Sequence, residues 1–327
     1  MYYYYLSSLF FSAFLREKKF ANLAWALLLS TIFFFFTRSD VSADWVGYKE
    51  IFNNIRHLSL EPFWYILKQT NPLKQFSFEV FIFFQSLLYI APILFIKYKT
   101  KNSFSLEYFL IYSLVLGFII LGHGYLRQSV ACSFILLAFY YFKERNFISY
   151  FITILVATTF HYSAIIGMVL LCEFVIKRLS DKKLMILSLL MPFLLLVPYF
   201  LEIPIKYEDK TSTGLALRSI LYLYLSLSIC VYSYTQRAKR AAIIITYSLI
   251  TLIPLSFVLG YTTLIDRILH YLAMPLAFGL SLITYRAKNY RNLIGFGILQ
   301  FIFLVIWLNF GKHADQWTYS NIFFNFK

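Results

Sequence analysis

Gly122-His123-Gly124-Tyr125-Leu126-Arg127-Gln128 interrupts two strongly apolar runs, Phe104–Leu121 and Ser129–Phe142, and its reading decides the fold. The stretch carries Arg127 and Gln128 into the start of the second run, where little else is polar. A charge at or near hydrocarbon costs roughly 2.5–3.5 kcal/mol, so an arginine here needs a water-filled cavity or an anionic partner. The other reading is an arginine that snorkels to the outer interface, as arginines at span ends often do. Arg38, Arg267 and His161, in matching positions elsewhere, weigh toward the first.

Outward from this stretch the composition points the same way. Of 327 residues, 60% are hydrophobic, 21% aromatic and only 14% charged, too few polar groups to cover a soluble surface. Repeated apolar runs of about 18–20 residues indicate an all-α, polytopic integral membrane protein. The net charge of +15 would point to nucleic acid in a soluble chain. Here the basic residues cluster in short loops between apolar runs, so a lipid bilayer and no nucleic acid is the expected partner. Cys132, Cys172 and Cys230 lie far apart within apolar runs, which favours small buried hydrophobes over a disulfide framework or a metal cluster.

Apolar runs fall at about 1–15, 20–37, 78–96, 104–121, 125–142, 147–160, 162–176, 184–200, 216–234, 241–259, 265–285 and 292–310. These predict about twelve transmembrane helices, some short or broken, in one membrane domain spanning residues 1–327. Met1–Leu15 has no leading positive charge and precedes Arg16-Glu17-Lys18-Lys19, the reverse of a cleavable signal peptide, so it reads as a retained first span with its N-terminus outside. The cytoplasmic clusters are then Arg16/Lys18/Lys19, Lys97/Lys99/Lys101, Lys143/Arg145, Lys177/Arg178/Lys182/Lys183, Arg237/Lys239/Arg240 and Arg286/Lys288/Arg291. They hold the majority of the 30 lysines and arginines in very short loops, which sets the orientation.

Phe147–Ile176 is too long for one crossing: about 45 Å as a single helix against roughly 30 Å of hydrocarbon. One crossing would also put the basic cluster after it outside. Two short or re-entrant helices meeting near Thr158-Thr159-Phe160-His161-Tyr162-Ser163 keep both basic flanks on one side. Broken backbone is tolerated only against protein or a cavity, which places His161 at the floor of an outer one. The largest outer loop, residues 37–77, carries Val41, Trp45, Tyr48, Phe52 and Ile55 at helical spacing, an amphipathic helix expected to lie on the membrane. Asp40 and Asp44 share a face beside that stripe, and Glu61-Pro62 ends the helix. A second outer loop, Leu201–Gly214, holds Glu202, Lys206, Glu208, Asp209 and Lys210.

Arg38, Arg127 and Arg267 at outer span ends suit a diphosphate bound through guanidinium groups, or else are three independent anchors. Arg267 follows Asp266 and precedes Tyr271 at i+4, which leaves a local ion pair open. His161 fits a general base, a proton donor to phosphate or an orienting partner, against a satisfied structural group. Asp44 fits a base or orienter for an attacking sugar hydroxyl, against a solvated helix face. His57, His123, His270 and His313 have no ligand spacing, and the Glu208-Asp209 pair suits solvent better than a cation, so neither metal nor cofactor is expected. No Walker A loop, GxSxG elbow or acid-x-acid glycosyltransferase motif is present.

Arg38 with Asp44 and Tyr48, then Leu126-Arg127-Gln128, Phe160-His161-Tyr162-Ser163, and Arg267 with Tyr271 resemble, in order and placement, the EpsG family. These proteins are similar to Wzy-type polymerases of bacterial exopolysaccharide, capsule and O-antigen. The resemblance runs to the tail Asp315-Gln316-Trp317-Thr318-Tyr319. Its Arg-to-Asp segment departs from the family in reading Ser42-Ala43-Asp44, where a glycine often precedes the aspartate. It implies a fold like that of GT-C membrane glycosyltransferases and a polymerase that joins undecaprenyl-diphosphate-linked repeat units. The site would face the periplasm or outside, at the bacterial inner membrane, with a chain-length regulator and a flippase of the same pathway as further partners. It implies Asp44, His161 and Arg127 as catalytic residues, with Arg38, Tyr48, Gln128, Ser163, Arg267 and Tyr271 contacting substrate. A glycan ligase is the alternative within that chemistry. A transporter or flippase is the alternative outside it, and the missing internal repeat counts against one.

Overall fold

The computed structural model describes residues 1–17, 21–39, 45–53, 61–70, 77–100, 104–172, 180–190, 212, 214–288, 290–311, 317 and 320–321. Asp40, Asp44, the Glu208-Asp209 pair and most of the tail therefore lie outside the described residues. What is described is helical apart from one two-residue pairing, Arg38–Ser39 (β1) antiparallel to Ser320–Asn321 (β2).

In chain order the helices are α1 (Tyr2–Glu17), α2 (Ala21–Phe36), α3 (Trp45–Asn53), α4 (Pro62–Thr70), α5 (Phe78–Thr100) and α6 (Leu106–Ser113). The chain winds on from α6 into a π-helix over Leu114–Gly124. Then come α7 (Leu126–Lys143), α8 (Phe147–Phe160), a 3-10 helix (Tyr162–Cys172), α9 (Asp181–Leu190), α10 (Leu215–Tyr232), α11 (Gln236–Val258), α12 (Thr262–Ala287) and α13 (Tyr290–Phe310). Six are long and apolar enough to cross a membrane: Phe78–Thr100, Leu106–Gly124, Leu215–Tyr232, Ala238–Val258, Thr262–Ala287 and Tyr290–Phe310. Trp25–Phe36 and Phe147–Phe160 are apolar but shorter. The described residues thus hold an all-α membrane architecture with six full-length candidates against the expected twelve or so. The expected spans 162–176 and 184–200 lie partly outside the described residues, and the rest of the shortfall has physical causes. The 14 residues of α8 rise only about 21 Å, and α7 opens on the polar residues Arg127, Gln128 and Ser129.

Leu106–Gly124 is wholly buried and forms the axis of the bundle. Where α gives way to π, backbone groups lose their i−4 partners and must find others, because no water reaches them. Gln300 of α13 supplies both needs: its Oε1 accepts from Val115 N at 3.1 Å and its Nε2 donates to Ile111 O at 2.8 Å. Tyr89 donates to the Gly117 carbonyl at 2.9 Å, and Arg38 donates to that of Gly122 at 2.7 Å. Two glycines here serve close approach. A Cβ on Gly122 would sit 2.6 Å from the Phe35 ring, and one on Gly124 2.5 Å from the Trp317 indole. A second polar layer ties four helices together: Tyr112 with Thr284 at 2.8 Å, Asn292 donating to Tyr112 at 3.3 Å, and Tyr224 donating to Asn292 at 2.9 Å.

The break expected near His161 is present. The α8 helix ends at Phe160, His161 is extended (φ −156°, ψ 119°), and the chain resumes as the 3-10 helix. The amphipathic stripe needs correction. Instead of lying on the membrane, Trp45 and Phe52 pack on Phe78 at 5.1 and 5.5 Å, and Phe52 meets Phe81 at 5.3 Å. Trp45 is only 3% exposed, so among the described residues α5 covers this face at Trp45 and Phe52, while Val41 and Ile55 lie outside them. Short turns make successive helices run back and forth. They carry Lys143/Arg145, Lys239/Arg240 and Arg286/Lys288/Arg291 to one end of the bundle, and Arg127, His161 and Arg267 to the other.

Candidate functional site

Arg127 stands in the first turn of α7, directly after the π-helix, where Tyr125 (φ −115°, ψ 71°) turns the chain between the two helices. Its Nη1 donates to Glu61 Oε2 at 2.5 Å. The two side chains are 26% and 7% exposed. The same guanidinium lies 5.7 Å from the ring centre of Tyr48 in α3. The anionic partner that a charge in this place demands is therefore Glu61.

The start of α4 holds Glu61 in place. Pro62 opens that helix with a fixed φ suited to a helix's first position. Trp64 then donates to the Phe160 carbonyl at 2.9 Å, and Phe63 meets the Phe160 ring at 4.3 Å. The end of α8 thus positions both Glu61 and the next residue, His161. Ser163 Oγ lies 2.9 Å from His161 Nδ1 and 2.9 Å from the Tyr271 hydroxyl, a continuous hydrogen-bonded chain. The Tyr271 hydroxyl is within electrostatic reach of both Glu61 and Arg267. Gln128 closes the circuit by donating to the Arg267 carbonyl at 2.6 Å. Arg127, Glu61, His161, Ser163, Tyr271, Arg267 and Gln128 accordingly form one ring of groups, hydrogen-bonded at Arg127–Glu61, His161–Ser163–Tyr271 and Gln128–Arg267, with Tyr48 on its rim.

The ion pair left open for Arg267 goes elsewhere. Asp266 is gripped by Arg218 of α10, with Nε to Oδ1 at 2.9 Å and Nη2 to Oδ2 in parallel. It also accepts from Ser212 Oγ at 2.9 Å. With Asp266 engaged on that side, the Arg267 guanidinium lies 5.2 Å over the ring of Tyr125, beside the Arg127 turn.

Arg38 stands at the end of α2, as expected of a span end, but its side chain turns inward and does not join the ring. It is 1% exposed, donating to Phe35 O at 2.6 Å, Ser86 Oγ at 2.8 Å and Gly122 O at 2.7 Å, none of them in the ring. Helix ends leave carbonyls without partners, and those of α2 and the π-helix draw its guanidinium inward. The C-terminal segment fastens the same end: Tyr2 donates to Trp317 O at 2.8 Å, and β2 pairs with β1. Asp44 falls outside the described residues.

Sequence reasoning missed Glu61 as a site residue and Arg218 as the partner of Asp266. The one available signal was the demand of Arg127 for an anion, since Glu61 is an acid in an otherwise apolar context.

A bundle of membrane-length helices with a ring of arginine, carboxylate, histidine and tyrosine at one end defines a polytopic membrane protein with a charged site. Residues 22–325, nearly the whole chain, match the EpsG family. The chain belongs to that family, a Wzy-like polysaccharide polymerase family. No curated protein and no solved structure matches the chain.

Proposed function

We propose that the chain joins undecaprenyl-diphosphate-linked oligosaccharide repeat units into a surface polysaccharide at the outer face of the bacterial inner membrane. An acceptor hydroxyl oxygen attacks the donor's anomeric carbon. The bond from that carbon to the lipid diphosphate breaks, and the diphosphate leaves with the electron pair. The hydroxyl proton passes to a carboxylate or to His161. Arg127 and Arg267 stabilise the charge that develops on the diphosphate, so no divalent metal is required. Tyr48, Gln128, Ser163 and Tyr271 orient these groups, and Asp44 remains the candidate base in the outer loop.

The observation that carries this reading is the ring itself, which gathers two arginines and the His161–Ser163–Tyr271 chain at the end opposite the basic turns. By the positive-inside rule those turns are cytoplasmic and the ring is outside. About twelve crossings, a chain-length regulator and a flippase belong to the same reading.

The test is deletion of the chain followed by sizing of the cell-surface glycan. Single repeat units on the surface support polymerisation. Long unattached chains indicate a ligase instead, and cytoplasmic accumulation of lipid-linked units a flippase. Extension of a synthetic lipid-linked repeat by purified protein in excess chelator is expected. Activity restored only by magnesium would overturn metal independence.

A further inference from the structure

Arg127 spends only part of its guanidinium on Glu61. One carboxylate oxygen takes Nη1, while the buried Nε has no hydrogen-bond partner among the described residues. Arginine–carboxylate pairs are frequently two-pronged, with parallel N–H donors to both oxygens, as Asp266 shows with Arg218 in this chain. The Glu61 pair is single-pronged, and a single-pronged pair repays the cost of burying a carboxylate poorly. Of its two members Glu61 is the more enclosed, at 7% exposed against 26%, so the guanidinium is the half a ligand can reach.

We propose that Glu61 is a specificity-determining residue: a resident anion on Arg127 that the donor's diphosphate must displace, so that singly charged lipids are turned away. The inference rests on the polymerase reading above. A diphosphate brings two or more negative charges to the guanidinium in exchange for the single charge of the carboxylate. A lipid with a single negative charge gains little over the carboxylate it would replace. The bilayer surface is rich in anionic phosphodiesters, which an arginine open to the interface would collect. A built-in competitor excludes them by raising the threshold for every ligand, and the multiply charged one alone clears it.

The experiment titrates farnesyl diphosphate and farnesyl methyl phosphate, a singly charged phosphodiester, against the purified full chain in nanodiscs. Wild type, Glu61→Gln and Glu61→Asp are compared, with Arg127→Ala as the reference. Glu61→Gln is expected to bind the phosphodiester about tenfold tighter than wild type, with a smaller gain for the diphosphate, so discrimination narrows. Glu61→Asp, which draws the carboxylate back by one methylene, narrows it less and guards against a folding failure of the glutamine variant. An unchanged ratio, or weaker binding of both lipids, with diphosphate binding still dependent on Arg127, overturns the role of Glu61 and leaves the polymerase reading standing. Diphosphate binding by wild type that survives Arg127→Ala overturns the diphosphate site of that reading and this inference with it.

Discussion

Gln128 donates a 2.6 Å hydrogen bond from its side-chain amide to the backbone carbonyl of Arg267. The bond runs from the first turn of α7 to the first turns of α12 and fixes Arg127 and Arg267 as neighbours in one site. Gln128 is 1% exposed, so no water replaces the bond when it is lost. A net hydrogen bond is worth about 0.5–1.5 kcal/mol, which as a barrier change is roughly 2- to 13-fold in rate. Gln128→Leu is expected to shorten the surface polymer and slow extension to that extent with protein in the membrane at normal amount. Polymer of normal length at normal rate would make the bond dispensable.

The Arg218–Asp266 pair is a separate case, because its side chains are only 8% and 3% exposed. Removing one member of a buried pair leaves an uncompensated charge and costs about 3–5 kcal/mol. Asp266→Asn should therefore lower the thermal unfolding midpoint of the detergent-solubilised protein sharply. Replacing both residues, Arg218→Met with Asp266→Leu, should recover most of that loss, since well-packed apolar pairs are often neutral substitutes. A double variant as unstable as the single one would show that the charge is not what matters there.

These two relationships also mark where the sequence stopped being legible. The membrane class and the break at His161 were readable, because apolar run lengths and an interrupted run are local signals. Glu61 was not, because it pairs with Arg127 across 66 positions and neither shares a period with the other. Arg218 and Asp266, 48 positions apart, are hidden in the same way. The π-helix escapes detection because a hydrophobic run buried on every side has no face for periodicity to report. The stripe on α3 was visible, but amphipathicity alone does not say whether lipid or protein covers it. The aromatic ring of Phe78 decided that.

Orientation can be checked at two exposed positions. A side chain added at Gly47 of α3 meets nothing within 4 Å. Tyr234, in the turn between α10 and α11, is 72% exposed at the basic end. With Cys132, Cys172 and Cys230 replaced, Gly47→Cys should react with an impermeant thiol reagent on intact spheroplasts. Tyr234→Cys should react only after lysis. The opposite pattern would move the ring to the cytoplasmic face and remove the proposed reaction from the outer one.

Arg127→Lys separates the fork of the guanidinium from its charge. Lysine can keep the contact to Glu61, because a single-pronged pair needs only one donor. It cannot offer two parallel donors to a diphosphate. Stability should therefore change little while extension falls by roughly 10- to 150-fold, the equivalent of about 1.5–3 kcal/mol for a charge-assisted bond. Arg127→Ala should differ in kind, since it strands the Glu61 carboxylate, 7% exposed, without its counter-charge. Its membrane level is expected to drop together with its activity, and Glu61→Gln in the same chain should restore the level without restoring activity. The comparison needs both readouts, the amount of protein in the membrane and the length of polymer on the surface. Normal polymer from well-expressed Arg127→Lys would leave the guanidinium with a purely structural role, as the partner of Glu61.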